Sequence, residues 1–189
     1  MHTPDFTKIR KKLEKDLDEE RFEHTLGVAM TSRMLAHLYG ADPDVAYTAG
    51  LLHDCAKCVS HKDKIRLCIK NDIEINDVEY ENPGLLHAKA GVVVARDEYD
   101  IDDEDILNAI RNHTTGRPGM SLLEKIVFTA DYIEPCREER PELNNLRKLA
   151  FEDLDKCVIR ILECTLEYLG GTAKAIDPST RETYEYYCR

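Results

Sequence analysis

Apolar residues recur along this chain at intervals of three and four, and nowhere do apolar and polar positions alternate over a sustained run. The first spacing matches the 3.6-residue turn of an α-helix, and the lack of alternation excludes half-buried strands. An all-α fold is therefore expected. Phe6, Ile9, Leu13 and Leu17 mark one face of an opening helix, and a second helix runs from about Glu20 to Tyr39. Gly40 suits the left-handed residue that follows a helix, and Asp42-Pro43 reads as N-cap and first position of a third helix continuing through His53.

Further on, HKDKIRLCIK reads as a short helix, residues 71–81 as a loop, and Asn82-Pro83 as the cap and first turn of a helix carrying His87 to about Tyr99. Acidic residues 102–105 open the next helix, where negative charge suits the positive end of the dipole, and it ends near His113. Ser121 and Glu124 form a capping box for a helix that reaches Glu134 and is stopped by Pro135. One apolar stripe from Leu143 to Leu169 predicts a single long core helix ending at Gly170-Gly171. A core over about 20–140, that helix and a tail over 170–189 fit one domain, since a single core still grows usefully at 189 residues. The Pro, Ser and Thr of the tail favour a frayed end over a lid.

Against 37 acidic residues the chain sets 26 basic ones, a net charge of -11, which argues against a broad grip on nucleic acid or on an anionic membrane. No apolar run has the length of a membrane span, and the first twenty residues lack the apolar centre of a signal peptide, so a cytoplasmic protein is expected. Seven cysteines form an odd set without the spacing of a disulfide scaffold. Cys55 and Cys58 make one CxxC, but a zinc knuckle needs a second pair and a redox dithiol a strand before it.

Within AGLLHDCAKC, His53 and Asp54 end an apolar run, although each is costly to bury unpaired. Ordinary hydrogen-bonded or surface roles suffice for His37, His2 and His61. His24, His53, His87 and His113 differ, because each stands beside small residues that leave room for something bulky next to the imidazole. With Asp54 and Asp131, which lies in FTADYIEP, they make four imidazoles and two carboxylates from five helices. Should these converge, one or two metal ions would satisfy all of them, and a mixed N/O set without thiolate suits iron, manganese, zinc or a similar divalent ion. Arg21 lies three residues before His24 and Lys57 four after His53, so on helices each shares a face with its ligand and is a candidate phosphate contact.

His24, the His53-Asp54 doublet and Asp131 resemble the H…HD…D signature of the HD superfamily of helical metal-dependent phosphohydrolases. AGLLHDCAK, PGLLHAKAG, AIRNHTTG and KIVFTADYIEPCR follow in the order seen in its YqeK-type branch, which is similar to symmetrical bis(5'-nucleosyl)-tetraphosphatases, over roughly residues 20–180. The resemblance implies an HD-domain helical bundle that cuts diadenosine tetraphosphate into two ADP molecules by attack of a metal-activated hydroxide on phosphorus. It further implies that His24, His53, Asp54 and Asp131 hold iron, mononuclear or dinuclear, while His87 and His113 face a second metal or the phosphates. His53, Asp54 and Lys57 are the implied catalytic group. Arg21 and Arg137 would contact the phosphates, Thr114 beside His113 offers a hydroxyl, and Lys174, Ala175, Ile176, Asp177, Pro178 and Ser179 would close over the nucleoside; Tyr132 is a candidate for stacking on a base, and a place on an amphipathic helix face explains it equally well. The expected partner is a dinucleoside polyphosphate or ADP, in a homodimer.

Two rival readings stand beside this one. The same metal site could act on another nucleotide or phosphate ester, although the Gly-Tyr-Pro signature of the cyclic-dinucleotide enzymes is absent. Alternatively, the chain could bind ADP as a sensor without turnover, against which the intact ligand set speaks.

Overall fold

The computed structural model describes residues 5–137, 141–172 and 175–189. Among them there are only helices: α1 Phe6–Asp16, α2 Glu19–Tyr39, α3 Pro43–Leu52, α4 His61–Lys70, α5 Asp77–Glu81, α6 His87–Tyr99, α7 Glu104–Asn112, α8 Leu122–Ile133, α9 Leu143–Glu152, α10 Leu154–Gly170 and α11 Pro178–Tyr187. The sequence-based punctuation recurs in the coordinates. Gly40 is left-handed at φ 77° after α2, and Asp42 caps α3 with Pro43 at its start. Asp103 caps α7, and Ser121 and Glu124 form the capping box of α8.

The centre is the crossing of α2 on α3, flanked by α7 and α8. Gly50 makes the crossing close: a Cβ there would stand 2.7 Å from the Ala29 Cα. Leu35, Leu51, Leu52, Ile110, Ile126 and Leu162 are fully buried around it. α6 packs on α7 and α4, whereas α9 and α10 pack on α8 and α11 packs on α10. One cluster of apolar side chains runs through all of this, so the fold is a single all-α domain. None of the described helices is long and apolar enough to cross a membrane.

Four expectations change. The stripe from Leu143 to Leu169 is two helices: Asp153 is extended (φ -154°, ψ 99°), its N–H closes α9 on the Leu149 carbonyl, and its carboxylate caps α10 at Lys156. The stripe misled because both helices turn their apolar faces to the same core. The segment expected to be a loop contains α5, whose Asn76–Glu79 capping box carries the same signature as Ser121–Glu124. Asn82 ends α5 rather than opening the next helix, and a turn over 83–86 intervenes before α6 starts at His87. Lastly, the C-terminal segment is not frayed. Asp177 caps α11, Pro178 occupies its first position, and Thr183 packs against Gly116, a left-handed residue at φ 66° whose hypothetical Cβ would lie 2.8 Å from the Thr183 Cγ2.

All seven cysteines are free. Cys55 is buried and donates to the Gly91 carbonyl, whereas Cys58 is exposed and meets Asp18, so the CxxC pair diverges.

Candidate metal centre and adjoining pocket

The ends of the helices deliver the site. His53 follows α3, His87 begins α6 and His113 follows α7, and all three rings are held in the same manner. Nδ1 donates to the carbonyl three residues earlier: His53 to Gly50 at 2.7 Å, His87 to Gly84 at 2.7 Å and His113 to Ile110 at 2.8 Å. A carbonyl can only accept, so the ring proton of each neutral imidazole is on Nδ1 and the Nε2 lone pair faces inward. His24, inside α2, reaches the same state by turning Nδ1 to the Glu134 Oε1 at 3.0 Å.

The Nε2 atoms converge. His24 and His53 face one another at 3.3 Å, and His87 and His113 at 3.1 Å. Asp131 Oδ1 lies 3.0 Å from the His24 Nε2 and 3.8 Å from that of His53. Asp54 Oδ1 lies 3.2 Å from the His87 Nε2 and 3.5 Å from that of His113, and it is buried without a hydrogen-bond partner. Two overlapping ligand sets result, His24–His53–Asp131 and His53–Asp54–His113, each with its ligand atoms within 4.8 Å of one another.

The two corners differ in the donors available. His87 has the Lys57 Nζ at 3.1 Å and the Thr114 hydroxyl at 3.2 Å, and the same hydroxyl is 3.1 Å from the His113 Nε2. At the other corner the described neighbours of the His24 and His53 Nε2 atoms are one another and carboxylate oxygens, all of them acceptors. Acceptors that close repel unless a cation lies among them, and the buried Asp54 Oδ1, which has no hydrogen-bond partner and the Lys57 ammonium only at 3.4 Å, adds to the demand. The donor set of imidazole nitrogen and carboxylate oxygen therefore fits a divalent metal.

Electrostatics favour that state at His53 and His87, whereas at His24 burial is outweighed by the Asp131 and Glu134 carboxylates, which raise its pKa until a cation takes the place of the proton. Burial pushes the pKa of His53 down, and that of His87 down to about 4. Burial also opposes ionisation of Asp54, but the surrounding His53, His113 and His87 outweigh it and hold its carboxyl well below the usual range. Asp131 is likewise held low, because its bonds to His24 and Arg137 outweigh burial. Neutral imidazoles beside ionised carboxylates are the protonation state a metal binds.

Arg21 donates to the Asp54 Oδ2 at 2.9 Å, and Arg137 donates to Asp131 Oδ1 at 2.7 Å and to its carbonyl at 2.9 Å. Lys57 arrives differently from expectation. Residues 53–59 form successive turns rather than helix, so Lys57 meets His87 and, at 3.4 Å, Asp54, instead of sharing a helix face with His53. Lys64, 3% exposed, donates its Nζ to the Lys57 carbonyl at 2.8 Å and so fixes the turn that carries Lys57.

A pocket of about 300 Å³ adjoins the centre, lined among others by Thr114, Tyr132, Arg137, Tyr168, Ala175 and Asp177. A second cleft of about 380 Å³ is lined by Glu20, Arg21, Glu23, His24, Glu134, Cys136 and Arg137, so Arg137 borders both. Ile176, Pro178 and Ser179 flank Ala175 and Asp177 in sequence without lining the pocket, and Lys174 lies outside the described residues.

The sequence reading missed Glu134. It is 1% exposed, accepts from His24, and takes the Cys136 N–H on its second oxygen at 2.6 Å. Gly27 makes room for it, since a Cβ there would collide with the carboxylate. The available signal was paired spacing: Glu134 stands three residues after Asp131, and Gly27 three after His24, each on the face of its ligand.

Comparison with known proteins agrees with this geometry. The HD domain model matches residues 21–136. A Halalkalibacterium halodurans protein named "Bis(5'-nucleosyl)-tetraphosphatase, symmetrical" is 45% identical over 89% of this chain and 89% of its own. A Bacillus subtilis protein of the same name is 38% identical over 92% of each. A crystal structure from Clostridium acetobutylicum, described as a "predicted HD superfamily hydrolase involved in NAD metabolism", superposes with a TM-score of 0.94 at 41% identity over 99% of this chain and 98% of its own. The chain belongs to the HD-domain family, on the branch shared with proteins named symmetrical bis(5'-nucleosyl)-tetraphosphatase.

Proposed function

We propose that this chain hydrolyses diadenosine tetraphosphate symmetrically to two ADP molecules. The observation that carries the reading is the convergence of four imidazoles and two carboxylates beside a nucleoside-sized pocket, with Arg137 bordering both. The names of the relatives supply the substrate.

In this reading His24, His53, Asp54 and Asp131 hold the metal, and His87 and His113 serve a second ion or the phosphates. A divalent metal, when bound, supplies Lewis-acid activation of water and neutralises charge that builds on the phosphoryl oxygens. The chain's own residues do the positioning. Arg21, Lys57 and Arg137 ring the centre with cations suited to a polyphosphate, and Thr114 offers a hydroxyl at the boundary between metal site and pocket. Fixing one ADP half in the 300 Å³ pocket sets which phosphorus meets the water, and attack beside the second phosphate of that half leaves two equal products. Iron as the metal, a homodimer and a cytoplasmic setting belong to the proposal on the strength of the resemblance and the sequence.

The test is chromatography of the products after incubating metal-loaded protein with diadenosine tetraphosphate. ADP alone is expected. ATP plus AMP would overturn symmetrical cutting, and no turnover would turn attention to another phosphate ester or to a sensor.

A further inference from the structure

Asp177 stands in the pocket wall, yet both of its carboxylate oxygens are committed within the protein. Oδ1 caps α11 by accepting from the Ser179 N–H at 2.9 Å, and Oδ2 accepts from the Asn76 Nδ2 at 3.0 Å, across 101 positions of sequence. Asn76 is itself fixed. Its Oδ1 accepts from the Glu79 N–H and its N–H donates to the Glu79 Oε2, both at 2.9 Å. Glu79 is buried, and the same Oε2 takes the Lys89 ammonium of α6 at 2.7 Å. A polar chain therefore runs from α6, which His87 begins, through the α5 capping box to the start of α11.

That chain ties together two segments that line one cavity: Asn82 and Leu85, which directly follow α5, and Ala175, Asp177 and Thr180, at the start of α11. We propose that the Asn76–Asp177 hydrogen bond is a clasp that sets the width of the pocket, and that Asp177 is a positioning residue that acts through α11 rather than a contact to the nucleotide. That the pocket takes a nucleotide rests on the function proposed above. The clasp itself does not.

Asn76→Ser keeps a side-chain oxygen to cap α5 but cannot reach Asp177, and Asp177→Asn keeps an oxygen for the α11 cap while removing the charge that Asn76 meets. Hydrogen exchange is measured over 178–187 in the ligand-free protein, together with ADP binding and steady-state kinetics on diadenosine tetraphosphate. In both variants exchange over 178–187 should quicken roughly tenfold, as a local opening grows easier. KM and the ADP dissociation constant should each rise roughly tenfold with kcat within about twofold, and the double variant should be no worse than either single one. Unchanged exchange in Asn76→Ser would overturn the clasp. Weakened ADP binding in Asp177→Asn alone would make Asp177 a direct contact and overturn the positioning role. Wild-type protein that binds no ADP would defeat the nucleotide reading while leaving the exchange result to decide the clasp.

Discussion

His24 and His53 point their Nε2 atoms at one another across 3.3 Å while each Nδ1 is spent on an acceptor, Glu134 for one and the Gly50 carbonyl for the other. While both are neutral, neither ring can donate to the other without giving up a buried hydrogen bond. The arrangement is poised for a cation, and the two groups that hold it, on α2 and at the end of α3, belong to the pair of helices at the centre of the fold.

Metal removal should therefore loosen the protein as well as silence it. With free metal at about 100 times its dissociation constant, binding adds about 2.7 kcal/mol to stability. Melting with and without a chelator should show that gain as a lower Tm for the stripped protein. His53→Ala, which removes the ring shared by both ligand sets, should abolish the difference between the two melts and lower the bound-metal content measured by elemental analysis.

Glu134 should matter through His24. Glu134→Ala should weaken metal affinity by about 10–100-fold, the usual cost of losing a partner that orients a ligating histidine. Glu134→Gln should cost less, because an amide oxygen still accepts from the Nδ1–H. Gly27→Ala should resemble Glu134→Ala, since the added methyl displaces the carboxylate. A metal-competition titration ranks the three variants, and a Gly27→Ala protein with unchanged affinity would show that Glu134 is not needed where it stands.

Gly50→Ala should strain the central crossing. The new Cβ would sit 2.7 Å from the Ala29 Cα, which is backbone and can move only if α2 and α3 part. Overpacking of this kind costs about 1–3 kcal/mol. Urea denaturation measures it, and metal affinity should fall too, because the carbonyl that orients His53 belongs to residue 50.

Acid should weaken the protein partly through Glu124. Burial raises its pKa, but the Arg117 fork and the Ser121 N–H outweigh burial and hold it below its ordinary value of 4.5. A carboxyl depressed in the folded state contributes stability that is complete above its unfolded pKa and is lost as pH falls through the folded one. Glu124→Gln should cost about 1.5–3 kcal/mol at pH 7, the range for hydrogen bonds to a charged group. That difference from wild type should shrink below pH 4.5, as followed by denaturant midpoints across pH.

Local signals carried much of the fold. Caps at Asp42 and Ser121, the acidic opening at 102–105 and the left-handed Gly40 were readable because each depends on residues at most four apart. The break at Asp153 was hidden because the apolar stripe reports burial, and burial is the same for one long helix and for two that share a core. The short α5 went unread although its Asn76–Glu79 signature was present, since five residues hold too little apolar periodicity to draw attention.

The ligand types, their order and their helical settings were properties of the sequence by itself, because side-chain chemistry and near-neighbour spacing are local. Only the tertiary structure decided which acceptors face one another, that Lys57 arrives from a turn, that Glu134 lies against His24, and that Asn76 meets Asp177. Each of those contacts joins residues from separate elements, and their meeting is dictated by how whole helices pack around a common core, a geometry that no local spacing encodes.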